Sequence, residues 1–490
     1  MSEKQHKTYV MKFGGSSLAG SKQILQSATL VKKYAADSNL VVVCSAMGDT
    51  TDHLLKAIDH AKKGETNQAR KVISEVHVSH MAAVNESITE GKYKEICRDL
   101  LTELFDEIDK VLLGISLLKD LSPRSLDYVL SFGERLATNI MSNVLAGMGL
   151  KTRYLSGGEA GILTDESFGS AEPILSVTNE KLRSKLFPLI SDGVIPVVTG
   201  YIAETLESHE IITLGRGGSD YTATLIAAAI DADEIILWTD VDGILSADPR
   251  IIKDAKILEQ ITYLEAMEMS AFGAKSMQPR ALEPVAKKGI AVRIRNTFNP
   301  DCLGTLIVSA SKIANGARSG VKAVGSITNV GAITISGTSI VGSPGTAAKI
   351  FEILKDLGVP ILMMSQSVSE NNVSLVVRRD ALHKVVRAFK RELLLEDPDS
   401  KVKTTSDGRA KFNFLDYEDD VTILAVLGRG MIGTPGIAGR VFSTVAMQGV
   451  NVRMIAQGSS EINISFVIKD KDRTKAVTAL HEEFVLKDSH

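Results

Sequence analysis

The residues of this 490-residue chain whose types and spacing could do chemistry fall in a few short stretches that join glycines to charges. In GRGGSD (Gly215–Asp220) an arginine sits among three glycines. A guanidinium grips a carboxylate or phosphate through two parallel hydrogen bonds, and glycine at 217 and 218 lets backbone come close to such a ligand. Ser219 and Asp220 open the helical pattern YTATLIAAAI, where either could also be an ordinary N-cap. In KFGGSS (Lys12–Ser17) a lysine precedes paired glycines at the end of a β-rich run, the wrong order for a Walker loop. A lysine so placed can hold phosphate oxygens beside bare N–H groups, or can be solvated next to a Gly-Gly turn. LWTDVDG (Leu237–Gly243) puts Thr239 and Asp240 at a strand's carboxyl end, where open α/β sheets bind ligands, although an Asx turn uses the same residues. Glu134 in SFGE reads as an acid at a Gly turn opening a helix, able to receive an ammonium group or simply to favour the helix start. FGAKSMQPR adds Lys275, and SAMGDTTD (Ser45–Asp52) adds hydroxyls. Two lysines, an arginine, Gly-rich strand ends, acids and hydroxyls are what phosphoryl transfer requires where no Walker loop exists.

The elements that must position these residues alternate. Short β-rich runs (TYVMKF, NLVVVCSA, VIPVVTGY, EIILWTD, AVRI) are interleaved with helical stretches from Thr8 to about Ile307, the pattern of an α/β domain on a mainly parallel sheet. A long helical pattern over about 53–121 interrupts it and reads as an insertion. SASKIANGARSG (Ser309–Gly320) then reads as a linker.

Beyond the linker, residues 342–377 align without gaps on 433–468, with 14 of 36 positions identical. An offset of 91 residues exceeds solenoid periods and indicates two domain-sized copies. Each copy reads as strand, Gly-Pro-Gly turn, amphipathic helix and two strands, followed by a further helical stretch, a βαββαβ unit. In the first helix Ala347, Ile350, Phe351 and Leu354 have the spacing of one apolar face. The second copy also contains a G-x-G-x-x-G (Gly428, Gly430, Gly433), but no acid follows at the Rossmann spacing and Ser339 breaks the pattern in the first copy, so the glycines read as a tight turn.

A formal net charge of -3 gives no basic field for nucleic acid or an anionic membrane, and no apolar run nears the ~20 residues of a bilayer span. Cys44, Cys97 and Cys302 fit neither a disulfide framework nor paired zinc-ligand spacing. With a polar N-terminus, these features lead to the expectation of a cytoplasmic protein.

The set KFGGSS, SFGE, GEAGILTD, VVTGYI, TLGRGGSD, WTDVDG…ADPR, FGAK and the tandem repeat resembles the aspartate kinases (aspartokinases) of the amino-acid-kinase fold, across nearly the whole chain. The resemblance implies an open, mainly parallel sheet sandwiched by helices over 1–308, then two ferredoxin-like ACT domains over 321–395 and 415–490, with pairing of 321–328 with the second as the alternative. It implies transfer of the ATP γ-phosphate, with Mg2+, to the side-chain carboxylate of L-aspartate, giving 4-phospho-L-aspartate for lysine, threonine and methionine synthesis. Lys12 and Asp220 would be catalytic. Thr51, Glu134, Arg216, Gly217, Gly218 and Ser219 would bind the substrate, Glu134 its ammonium and Arg216 its α-carboxylate. Lys12, Phe13, Gly14, Gly15, Ser17, Thr239, Asp240, Arg250, Lys275 and Ser276 would face ATP. Feedback inhibition by an end-product amino acid is implied at Ser343, Gly345, Thr346, Gln366, Asn371 and Asn372, a polar set that suits threonine better than lysine, in a homodimer or dimer of dimers joined through the ACT domains. The sequence departs from the common family pattern at Ser16, Asp52, Leu245, Ser276 and Gln278, and none of these removes a charge needed for transfer. A kinase of the same fold acting on another acid, and a sensor that has lost turnover, are the alternatives.

Overall fold

Strands with continuous apolar runs need both faces covered, and the chain supplies helices to cover them. The computed structural model describes residues 6–272, 277–313, 320–337, 345–366, 372–393, 413–458 and 460–486. In chain order the first part runs β1 (Lys7–Phe13), α1 (Ser21–Ala35), β2 (Ser38–Cys44), α2 (Thr50–Lys62), α3 (Thr66–Ser87), α4 (Gly91–Leu118), α5 (Pro123–Gly147), β3 (Thr152–Leu155), α6 (Gly157–Ala160), β4 (Leu163–Thr164), α7 (Leu175–Ser191), β5 (Ile195–Thr199), β6 (Ile202–Thr205), β7 (Ile211–Thr213), α8 (Gly218–Ala229), β8 (Glu234–Thr239), β9 (Gln260–Thr262), α9 (Tyr263–Ala271), α10 (Pro279–Lys288), β10 (Ala291–Asn296) and β11 (Thr305–Val308). The main sheet has the order β3-β5-β2-β1-β8-β10-β11-β9. The block from β3 to β10 is parallel, so its carboxyl ends gather on one edge. A small sheet of order β4-β6-β7 lies apart from it in hydrogen bonding.

The chain divides into two compact units. The first comprises 1–244, 257–267 and 275–313, and the second 245–256, 268–274 and 314–490. In the first, the helical stretch expected at 53–121 forms α2 to α4, and its Leu54, Ile58, Val72, Leu101 and Ile108 share one core with Met11, Val42 and Trp238 of the sheet. It is therefore built into the core of the sheet it interrupts.

The second unit continues with β12 (Ala323–Gly337), α11 (Thr346–Asp356), β13 (Met363–Gln366), β14 (Asn372–Arg378), α12 (Arg379–Glu392), β15 (Asn413–Leu427), α13 (Ile437–Met447), β16 (Met454–Gln457), β17 (Asn463–Lys469) and α14 (Arg473–His481). Its strands form one antiparallel sheet, β13-β14-β12-β15-β17-β16. The two long central strands are shared. Val324 at the start of β12 packs with Leu424, Val441 and Phe466, whereas Ile333 and Ile335 near its end pack with Leu375, Phe389 and Leu415. The register between β12 and β15 shifts between Ile327 and Val330, with Asn329 at φ 57°, a bulge at the point where the strand passes from one core to the other.

The apolar face expected on α11 is rotated. Ile350, Ile353 and Leu354 are buried, Ala347 is exposed and Phe351 is 46% exposed. Both assignments keep helical spacing, and contact with β14 and α12 selects the one centred on Ile353. Among the described residues no helix is long and apolar enough to cross a membrane.

Candidate active site

β1, β2, β5 and β8 end side by side, and their carboxyl ends carry most of the expected site. Lys12, one residue from the end of β1, has its Nζ 2.6 Å from Asp220 Oδ1 in the first turn of α8. Both side chains keep some exposure, 14% and 21%, so the pair is partly desolvated yet reachable. Asp220 does not cap its helix. The N-cap is Gly217 at φ 75°, with no side-chain cap bond; the Gly218 N–H donates to the Gly215 carbonyl at 3.0 Å, and the N–H groups of Ser219 and Asp220 in the same turn retain their capacity for an anion. Position 217 requires glycine twice over, since a Cβ there would lie 2.4 Å from Gln278 Cγ. Arg216, between Gly215 and Gly217, is exposed and has no ion-pair partner among the described residues. Ser219 sits against the end of β5, where a Cβ on Gly200 would lie 2.6 Å from Ser219 Cβ.

Glu134 corrects the expectation of a helix start. It lies in the middle of α5, and the helical residue before it, Gly133, carries no side chain because a Cβ there would come within 2.9 Å of Ala46 Cβ. The tight approach brings α5 to the loop after β2. Glu134 is 5% exposed, its Oε1 accepts the Ala46 N–H at 3.3 Å, and its Oε2 is buried without a hydrogen-bond partner. Burial pushes its pKa up to about 8, opposed by the Ala46 N–H and by the Lys12 charge. Thr51, in the first turn of α2, is close by, with its Oγ1 3.8 Å from where a Gly133 Cβ would stand.

The nucleotide-facing expectations divide. Thr239 ends β8, its hydroxyl donating to Asp240 Oδ1 at 3.1 Å. Gly14 and Gly15 follow Lys12, but the Gly14 N–H already donates to the Trp238 carbonyl at 3.1 Å. Phe13 offers only its backbone, since its ring is fully buried and stacked on Trp238. Ser17 is likewise fully buried: its N–H donates to the Gly14 carbonyl and its hydroxyl is held between Thr297 and the Trp238 carbonyl. Arg250 falls in the segment 245–256 of the second unit, where Asp248 two residues earlier holds its guanidinium through Nε and Nη2. Lys275 and Ser276 lie outside the described residues, as do Ser343 and Asn371 of the expected effector set. Of that set, Gly345 is the N-cap of α11 at φ 115°, Thr346 begins the helix, and exposed Gln366 and Asn372 lie at the facing ends of β13 and β14.

Tyr201, Asp127 and Arg280 were not singled out from the sequence. Tyr201 follows β5 at φ 65°, unusual for a side chain of its size, and its carbonyl accepts the Leu214 N–H at 2.8 Å. Arg280 donates to the Leu214 carbonyl and pairs with Glu172 at 2.8 Å. The visible signal for Asp127 is its spacing of seven residues from Glu134 in a helical pattern.

Residues 7–296 match the amino acid kinase family, and 333–393 and 424–484 each match the ACT domain. Aspartokinase 1, chloroplastic, of Arabidopsis thaliana is 32% identical over 490 aligned residues, spanning 97% of this chain and 80% of the relative. Among solved structures, E. coli aspartokinase III in complex with aspartate and ADP (R-state) superposes with a TM-score of 0.79 at 25% identity, covering 97% of this chain and 99% of that one. The same enzyme in complex with lysine and aspartate (T-state) gives 0.77 at 25% identity over the same shares.

Proposed function

Because this chain belongs to the aspartokinases, within the amino acid kinase family and with two ACT domains, we propose that it transfers the γ-phosphate of ATP to the side-chain carboxylate of L-aspartate, yielding 4-phospho-L-aspartate. The observation that carries this reading is Glu134: a buried carboxylate with one oxygen unpartnered, within the field of Lys12. A buried acid of this kind gains most from a small cationic group, and the ammonium of an amino acid is one. Arg216 would then grip the α-carboxylate, leaving the side-chain carboxylate to face the strand ends. The E. coli enzyme's complexes with aspartate and ADP support the same pairing of ligands.

The chemistry needs no general base, because a carboxylate with pKa ~3.9 is ionised at neutral pH. The barrier is the approach of an anion to a polyanion, so positioning and neutralisation carry the rate. Lys12 would sit on the transferring phosphoryl group, with Asp220 fixing its ammonium. The first-turn N–H groups of α8 would add fixed positive potential. Mg2+ takes one or two carboxylates plus phosphate oxygens and keeps its other waters, so it would arrive with the nucleotide, and Asp220 and Asp240 are the carboxylates at these strand ends. Bound there, it would neutralise phosphate charge. Among the described residues no group of three or more His, Cys, Asp and Glu side chains gathers as a metal cage.

The ACT pair would bind an end-product amino acid, supported by the lysine complex of the E. coli enzyme. The polar, uncharged Gln366 and Asn372 favour threonine, with lysine as the other candidate. The product would feed lysine, threonine and methionine synthesis, in the cytoplasm, from a homodimer or dimer of dimers. Incubation with ATP, Mg2+, aspartate and hydroxylamine tests the reading: aspartate hydroxamate is expected, with none from glutamate or acetylglutamate. Absence of hydroxamate from every acid, in protein that still binds an amino acid, would leave a sensor in place of a kinase. Adding threonine or lysine to the same assay identifies the effector.

A further inference from the structure

Asp127 precedes Glu134 by two turns of α5, so the two carboxylates share a face of one helix. It is 1% exposed and meets no cation at contact distance among the described residues. Its Oδ2 accepts the N–H groups of Gly169 at 3.0 Å and Thr213 at 3.3 Å, and its Oδ1 accepts the Thr213 hydroxyl at 2.8 Å. A buried carboxylate is costly unless its oxygens are satisfied, and here two of its three donors belong to one residue. Thr213 ends β7, and the next three residues are Leu214, Gly215 and Arg216. Leu214 is held in turn, its N–H by the Tyr201 carbonyl and its carbonyl by Arg280. Tyr201 lies within the influence of both acids: burial first, then the Glu134 and Asp127 charges, hold its phenol above the usual range. One helix thus carries Glu134 directly and the root of the Arg216 turn through Asp127.

Building on the aspartate kinase reading, we infer that Asp127 is a positioning residue, which fixes the span between the ammonium-receiving Glu134 and the carboxylate-gripping Arg216. That span sets the pose of the α-amino acid end and therefore how far the side-chain carboxylate reaches. Asp127 matters for affinity for aspartate and for rejection of the homologue one methylene longer, and it has no part in holding ATP.

The experiment compares Asp127→Ala, Asp127→Asn, Thr213→Val and Thr213→Ser with wild type in the hydroxamate assay. KM for aspartate and for ATP, relative turnover of glutamate and the thermal midpoint are measured for each. Asp127→Ala and Thr213→Val are expected to raise KM for aspartate at least tenfold and to narrow the preference over glutamate, with KM for ATP within twofold of wild type. Asp127→Asn and Thr213→Ser, which keep acceptor or hydroxyl, recover most of the loss. If aspartate and ATP constants move together, or neither moves, the assignment is overturned and Asp127 is merely a fold-holding acid. If Asp127→Ala does not fold, the Thr213 pair decides: Val and Ser behaving alike overturns the inference. Wild type that makes no hydroxamate from aspartate removes the kinase premise itself, an outcome distinct from an active wild type whose variants are unchanged.

Discussion

The candidate site of the first unit and the helix entries of the repeated module both rely on glycine, for opposite reasons. Around Lys12 and Glu134 three glycines are pressed against neighbours: a Cβ would lie 2.9 Å from Ala46 at Gly133, 2.6 Å from Ser219 at Gly200 and 2.4 Å from Gln278 at Gly217. At Gly345 and Gly436, which open α11 and α13, a Cβ would meet nothing within 4 Å, and only the left-handed backbone asks for glycine. One region is closed by packing and its charges are already aimed. The other is open, with Gln366 and Asn372 exposed. A site that must stabilise a transient charge distribution gains from the first arrangement, and one that responds to a changing ligand concentration gains from the second.

The largest effect that would sharpen this contrast is at Lys12. Lys12→Ala is expected to lower kcat by about 10³-fold, read by hydroxamate formation, because the proposed transfer would lose the charge that Lys12 would place on the phosphoryl group, with no replacement. Next comes Gly200→Ala, expected to lower kcat/KM by about 10²-fold as Ser219 and the start of α8 are pushed off position. An effect at Gly200 no larger than that of the same change at Gly345 would break the comparison.

Titration of Glu134 comes third. An ammonium needs the carboxylate, and burial holds the pKa up to about 8, so KM for aspartate should fall by roughly tenfold per pH unit from 6 toward 8 and then level off, while KM for ATP does not follow. The same shift bears on stability with a definite sign. A folded-state pKa raised from 4.5 to about 8 stabilises the fold fully below about 4.5, and that contribution is lost as pH rises through about 8. Glu134→Gln should therefore show a flatter dependence of unfolding midpoint on pH between 5 and 8 than wild type. Gln366→Ala follows, expected to raise the effector concentration for half inhibition by about tenfold, the worth of about one hydrogen bond. Smallest is Gly345→Ala, expected to cost about 1 kcal/mol in denaturant unfolding through its backbone conformation alone.

Much of the candidate site was legible because its signals are local. A lysine before two glycines, or an arginine among three, declares a strand end or a tight turn without reference to distant residues. Glu134 was misplaced for the same reason: the preceding glycine looks like a break, and only Ala46, distant in sequence, shows why a helix needs glycine there. Arg250 reads as a spare cation until Asp248 is seen holding it. Ser17 reads as an open hydroxyl until Thr297, 280 residues away, is seen to hold it. The alternation of strands and helices was legible from Thr8 onward, whereas the face of α11 was not, since two apolar stripes fit its sequence and packing chose between them. The repeat was plain, but how its copies join depends on the long-range pairing of β12 with β15.

That pairing has a consequence for the ancestry and handling of the repeat. Because β12 and β15 each serve both cores, the two copies no longer coincide with two separable folding units. A cut between α12 and β15 divides each core from a strand it depends on, so neither half should refold alone, and the module should melt in a single cooperative step. What duplicated as two has become indivisible.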